Sequence, residues 1–459
     1  MTPLSPQIPE RKPLIVESSI KRDTQKLLDL VLRRRFKTHA RSNGFSLTSL
    51  SDIPTKSLTF RIDGITFNLD DEAIERTPQI PAAIAVKRYL REVERTSENR
   101  PRSASDEYRV ERAVLIEAIR HPLNGNGEIT VYPEIYSSEG EEFEYADTGA
   151  FIFREFIPGD TLPEKAKREF ETKGELGWDA IKGPLQQISL LHAKGPLVMG
   201  NMNVKLGTCT GTDMCKATLR YVQRISASAG RKLSRSQLEE IFNGIQPLFE
   251  DFDNPRNQTM VNGDLDVYVD HVMPQRLLDS GGTVISHFIR DCGLYGAFQF
   301  MHIPDIATKT VDEYIELRQK WAESLEVKPV VYGPETLTYA LLKDFVWGNI
   351  RKAASTVHYK AQYVNREEDP SIAREDLQDE VRCHLGAAGF YLDQVLRNAP
   401  QYEIPAAKRL EKGLKELGIS EQSYVLRSPN TTKNPLLLDL CSEHFRRESD
   451  SEASIGTKQ

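Results

Sequence analysis

VNGDLDVYVDHVM, residues 261–273, is the stretch on which the fold turns. A turn-forming Asn262-Gly263 pair is followed by Asp264, Asp266 and Asp270, with His271 just beyond them. Helical patterns lie on either side, so the stretch reads as a loop that carries acids. Eighteen residues after Met273 comes Asp291, just past the apolar strand pattern TVISHFI (Thr283–Ile289) that follows Gly281-Gly282. Taken alone, each Asp reads as a turn residue. Taken together, Asp264 can accept a proton from a hydroxyl, while His271 and Asp291 can hold a Mg²⁺ ion that bridges phosphates.

Upstream of this loop, three further features come in a fixed order. FIFREFIPG (Phe151–Gly159) is an apolar strand that runs into Pro158-Gly159, the form taken by a strand that becomes an exposed connector. Lys87 sits inside the apolar strand AIAVKRY (Ala83–Tyr89). An ammonium there either snorkels to water or faces a place where anions bind. Twenty-four residues later Glu111 opens ERAVLIEAIR, a helical pattern whose carboxylate can pair with Lys87 and hold it towards nucleotide phosphates, with Glu107 and Glu117 as rivals.

Around these features the first 160 residues read as hairpin, strand, helix and two strands. LTFRIDGITFNL (Leu58–Leu69) has strand-type residues on both sides of Asp63-Gly64, a hairpin pattern. GEITVYPEIY (Gly127–Tyr136) and TGAFIFREFI (Thr148–Ile157) form a second candidate pair of strands. Beyond residue 160 helical periodicity dominates, over Ile181–Gly195, Ser236–Phe252, Val311–Leu325 and Glu375–Arg397. Ser19–Ala40 reads as an amphipathic helix with a solvated basic face that includes Arg33, Arg34, Arg35 and Lys37. The expected domains are an arm and basic helix over 1–44, a nucleotide-binding lobe over 45–157, a helical lobe over 158–442 and a polar, disordered tail over 443–459.

Composition narrows the function classes. The 459 residues carry 60 Lys+Arg against 67 Asp+Glu, a net charge of −7, which argues against a dedicated nucleic-acid binder. The charge is uneven: residues 1–41 hold ten Lys+Arg and four Asp+Glu, so the remainder is acidic, with 50 Lys+Arg against 63 Asp+Glu. No apolar run approaches the roughly 18 residues of a membrane span. Five cysteines imply no disulfide framework, and with no secretory pattern at the N-terminus a cytoplasmic location is expected. TCTGTDMC, with Cys209 and Cys215, lacks zinc-pair spacing, and the G-x-S-x-G, Walker and H-E-x-x-H patterns of common hydrolases and NTPases are absent.

In this order the motifs resemble the aminoglycoside phosphotransferase and choline kinase-like branch of the protein-kinase-like fold. VKRY is similar to the strand with the phosphate-binding lysine. FIFREFIPGDTL is similar to the linker segment, through Glu155, Gly159 and Leu162, and QISLLHAKG to the "L-x-x-L-H" helix, through His192. VNGDLD…HVM resembles the catalytic loop, and Asp291 followed by PDIA (Pro304–Ala307) resembles the metal aspartate and "D-L-A". The resemblance covers roughly residues 55–350. It implies a bilobal α+β fold with a small sheet-rich N-lobe and a larger, mainly helical C-lobe. It also implies an ATP- and Mg²⁺-dependent kinase for a small-molecule hydroxyl. Lys87 would bind the α/β-phosphates with Glu111 as its partner, and the backbone of Glu155, Phe156 and Ile157 would meet adenine. Asp264 would be the base, His271 and Asp291 the metal ligands, and Asp305 a structural tie.

The departures are specific. Asn262 stands where the family has His. The loop to the second metal ligand is two residues longer than usual, and His271 is a softer donor than Mg²⁺ prefers, with Asp266 or Asp270 as substitutes. Strict register puts Arg290 at the metal aspartate's position and Asp291 one place later. These departures supply a second hypothesis, a catalytically degenerate kinase-like protein that serves as a binding or scaffold module. A protein kinase proper is a distant third, because H-R-D and D-F-G are missing.

Overall fold

The computed structural model describes residues 18–37, 42–50, 57–67, 80–89, 104–120, 130–137, 143, 146, 149–173, 176–228, 234, 236, 245–265, 272–301, 305–325, 333–357 and 370–416. Residues 1–17 of the arm expected over 1–18, the tail (443–459) and Asp266, Asp270 and His271 lie outside them. The chain divides into two compact units, one of residues 1–119 and 133–158, the other of residues 120–132 and 159–459. One is a small sheet with two helices and the other is mainly helical, which is the make-up expected of the kinase-like fold.

In the first unit, helix α1 (Ser18–Arg35) precedes strands β1 (Ser42–Ser49), β2 (Ser57–Phe67) and β3 (Ala83–Tyr89). Helix α2 (Ala104–Arg120) follows, and then strand β4 (Ala150–Glu155). The strands form one antiparallel sheet in the order β1-β2-β3-β4. Side chains alternate across a strand, and the sheet uses both faces. Phe60, Ile62, Ile84, Val86, Phe151 and Phe153 share a core with Ile20, Leu27, Leu28, Val31 and Leu32 of α1. Each such buried side chain contributes about 1.5–3 kcal/mol before conformational entropy is counted. The opposite parity, Lys87, Tyr89 and Arg154, reaches α2 through Glu111.

Helix α1, expected as part of a segment of its own, is thus packed into the sheet unit. Its basic residues Arg33, Arg34 and Arg35 are exposed as expected, in the last turn where they complement the helix dipole. Arg35 also pairs with Glu134. The Asp63-Gly64 hairpin is a misreading. Residues Ser57–Phe67 form one strand, and β1 is its partner on both sides of the supposed turn. Gly64, at φ 60°, sits where the register shifts between Gly44 and Ser46, so it accommodates a bulge. Of the second expected strand pair, residues 127–129 and 148 lie outside the described set; among the described residues its pairing is an isolated bridge from Ile135 to Arg154, with Tyr136 N–H donating to Phe153 O at 2.7 Å. Pro133 interrupts the segment where the chain passes from one unit to the other.

The second unit opens with α3 (Leu162–Lys173), a single turn at Trp178–Ile181, α4 (Pro184–Asn201) and α5 (Gly211–Ser228). Of the helix expected over Ser236–Phe252, residues 237–244 lie outside the described set, and Gln246–Asp253 form a 3-10 helix. Two short strand pairs follow: β5 (Gln258–Val261) with β8 (Val284–His287), and β6 (Val272–Met273) with β7 (Arg276–Leu277). A second 3-10 helix (Phe288–Met301) leads to α6 (Ile306–Leu325), α7 (Pro334–Ser355), α8 (Pro370–Asn398) and α9 (Ile404–Glu416). Among the described residues no helix is long and apolar enough to cross a membrane.

Candidate active site

The candidate residues form two separate groups, one in each unit. In the sheet unit Lys87 Nζ lies 2.8 Å from Glu111 Oε2, with Lys87 4% exposed and Glu111 fully buried. Tyr89 Oη donates to the same carboxylate oxygen. Arg154, absent from the sequence reading, donates through a guanidinium nitrogen to Glu111 Oε1 at 2.8 Å. The sheet register explains the cluster: Ala85 is opposite Arg154 and Lys87 is opposite Ile152, so both cations point to the α2 face. Glu111 is therefore the acid that meets Lys87, and it lies mid-helix, because α2 begins at Ala104.

Glu155 ends β4, where its N–H donates to Glu134 O at 2.8 Å and its carboxylate accepts from Glu134 N–H at 3.2 Å. The strand ladder stops there, and Phe156 and Ile157 continue half-buried beyond it. The Arg61 guanidinium lies 4.5 Å over the Phe156 ring. A base edge would thus find the backbone of Phe156 and Ile157 outside the ladder, while the Glu155 N–H is already engaged.

In the helical unit β5 delivers the loop that carries Asn262, Gly263 and Asp264, and β8 delivers Asp291. Asp291 is buried and its carboxylate accepts from three N–H donors. Asn262 N–H reaches Oδ2 at 2.7 Å, Gly263 N–H reaches Oδ1 at 3.0 Å, and His192 Nε2 reaches Oδ2 at 3.0 Å. Behind His192, Nδ1 is 2.9 Å from Tyr314 Oη, which accepts from Arg318 at 3.1 Å. Burial lowers the His192 pKa despite the aspartate beside it, so the ring is neutral, with the proton on Nε2 and Nδ1 accepting from Tyr314. His192 thus acts from α4 upon the loop, through Asp291.

Asn262, at the position where the family has His, is also used structurally. Its side-chain amide donates to Tyr132 Oη at 3.3 Å and to the Asp279 carbonyl at 2.5 Å. Burial and the nearby acids hold the Tyr132 hydroxyl protonated. Asp264 is more open, with its side chain 28% exposed, and its Oδ1 lies 2.8 Å from Arg351 of α7. Arg351 also donates to Gly263 O at 3.2 Å and lies over the Trp347 ring at 5.3 Å. Asp264 Oδ2 rests against Gly282, where a Cβ would come within 2.1 Å of it, so a side chain at 282 would displace the carboxylate.

Arg290 is directed into the helical core, 3.6 Å from Asp344 and 4.6 Å over Trp347. Asp305 has an exposed side chain and φ 53°, and its carbonyl accepts from Lys309 at the start of α6. The tie between loop and helix expected of Asp305 is made by Asp291. Mg²⁺ needs oxygens open to near-octahedral coordination. Asp291 already accepts from three N–H donors and Asp264 Oδ1 from a guanidinium, so as arranged neither of these two described carboxylates presents a pair of unengaged oxygens to the ion. His271 lies outside the described residues. Among the described residues no three His, Cys, Asp or Glu side chains gather as a metal cluster.

Comparison with known proteins gives likenesses of structure alone. No protein-family model and no curated protein sequence matches the chain. The chain resembles the solved structure of a choline kinase from Cryptosporidium parvum Iowa II, at 11% identity and a TM-score of 0.45 over 85% of this chain and 99% of the other. It also resembles a putative aminoglycoside phosphotransferase from Ralstonia eutropha, at 12% identity and 0.41 over 85% and 98%. For an ethanolamine kinase from Plasmodium vivax the figures are 9% and 0.37 over 79% and 84%. The first two carry the family names that the motifs suggested. At these identities and TM-scores they give no residue of this chain a role.

Proposed function

We propose that this protein is an ATP-dependent phosphotransferase of the kinase-like type that acts on the hydroxyl of a small molecule. The observation that carries this reading is the buried Lys87–Glu111 ion pair, 2.8 Å long, between a strand and the helix packed on it. A buried carboxylate fixes the direction of the lysine, which suits an ammonium that neutralises phosphate oxygens. The backbone of Phe156 and Ile157 would take the base. Asp264 would orient the acceptor hydroxyl and accept its proton, and Lys87 would stabilise the charge that spreads over the phosphates during in-line transfer. In this fold Mg²⁺ supplies further charge neutralisation, but Asp264 and Asp291 as arranged do not fit it, and no step is assigned to it.

That mismatch favours a second reading, a kinase-like module that binds nucleotide without transferring phosphate. Calorimetric titration of ATP into the full chain and into Lys87→Met, with and without Mg²⁺, tests the shared part. Binding that the variant loses supports the lysine's role, and equal binding by both overturns it. Radiolabelled ATP offered with amino alcohols, sugars and other small alcohols then separates the two. Transfer that Asp264→Asn abolishes supports the enzyme, and binding without transfer to any acceptor supports the module.

A further inference from the structure

The carboxylate that serves Lys87 also serves a second cation. Glu111 Oε2 takes Lys87 and the Tyr89 hydroxyl, while Oε1 takes Arg154. All three charged side chains are at least nine-tenths buried, at 4%, 0% and 6% exposure. A lysine that meets phosphate while still paired with its carboxylate is aimed only as well as that carboxylate is fixed. Without Arg154, Glu111 would be held by Lys87 and the Tyr89 hydroxyl alone, both on Oε2, and Oε1 would lose this donor in the interior. The guanidinium is planar and directional, and it fixes Glu111 by a hydrogen bond of its own.

We infer that Arg154 is a positioning residue for phosphate binding: by fixing Glu111 it fixes the direction of Lys87, which stays paired with Glu111 while it meets the ligand. The inference rests on the proposed function for the identity of that ligand, a nucleoside triphosphate. The placement is a property of the strand: β4 is apolar apart from Arg154 until its last residue, and only the parity shared with Ile152 directs a side chain to α2.

The test is calorimetric titration of ATP and of adenosine into the full chain and three variants. Arg154→Gln keeps an N–H donor for Glu111 but removes the charge, and Arg154→Lys keeps the charge. Lys87→Met reports on the underlying reading. For Arg154→Gln the expected result is ATP affinity lowered by about tenfold or more with adenosine affinity unchanged, and for Arg154→Lys affinity near that of wild type. Intact adenosine binding serves as the control for folding. If Arg154→Gln leaves ATP affinity unchanged, or lowers ATP and adenosine equally, Arg154 is merely structural and the inference is overturned. If wild type and Lys87→Met bind ATP equally, the phosphate role of Lys87 fails first, and the role of Arg154 goes with it.

Discussion

Two carboxylates at the heart of this protein each face a guanidinium, but they sit in opposite environments. Glu111 is fully buried and shared by Lys87 and Arg154, whereas Asp264 is about a quarter exposed and meets Arg351 from a neighbouring helix. The first arrangement is part of the interior of the sheet unit. The second is a pair whose charge water can screen, so it can be undone at little cost. The contrast is one of burial and partners, and Asp291, buried with three N–H donors on its carboxylate, is arranged like Glu111.

Substitutions can break this contrast. Glu111→Ala leaves two buried cations without their shared acid, and a loss of about 3–5 kcal/mol is expected, read as a lower urea midpoint for the sheet unit. Asp291→Ala strands the Asn262 and Gly263 N–H groups and His192 Nε2, so a loss of about 2–4 kcal/mol is expected from the same measurement. Unchanged stability would mean that Asp291 is not a brace.

Acid sharpens the contrast further. Burial and the cations Lys343 and Arg290, with His192, push the His287 pKa down to about 3. The folded state therefore keeps this ring neutral while the unfolded chain protonates it below about pH 6.5. The contribution is complete above that pH and is lost as pH falls towards 3, by about 1.4 kcal/mol per pH unit. His287→Gln is expected to flatten the decline in melting temperature between pH 6.5 and 5, and an unaltered slope would remove His287 as its source. The smallest effect on stability is expected for Asp264→Asn, within about 1 kcal/mol, by the same urea titration. A loss as large as that of Glu111→Ala would erase the distinction between the two carboxylates.

Much of this was legible in the sequence, in a way that follows from physics. Lys87 within an apolar strand and Glu111 on the next helix could be paired because both lie in elements with clear periodicity. The strand β1 was not legible. SNGFSLTS is mostly small and polar, with Phe45 buried in the core and Leu47 packed partly buried against it, and it becomes a strand because β2 offers a partner along its length. The same long partner turned Asp63-Gly64 from a turn into a bulge. The placement of Asp291 could not be read either, because its ligands are backbone N–H groups, which every residue has. Arg154 did leave a signal: a cation inside FIFRE, at the parity of a buried face, needs an acid opposite, and Glu111 was already named.

Helix α1 covers the face of the sheet opposite the Lys87 cluster, with Leu27, Leu28, Val31 and Leu32 in the same core as Val86 and Phe153. A fragment cut to start at β1 would therefore expose a broad apolar sheet surface to water. Such a fragment would be prone to stick to itself or to chaperones, so any recombinant piece meant to report on nucleotide binding has to begin before Ser18.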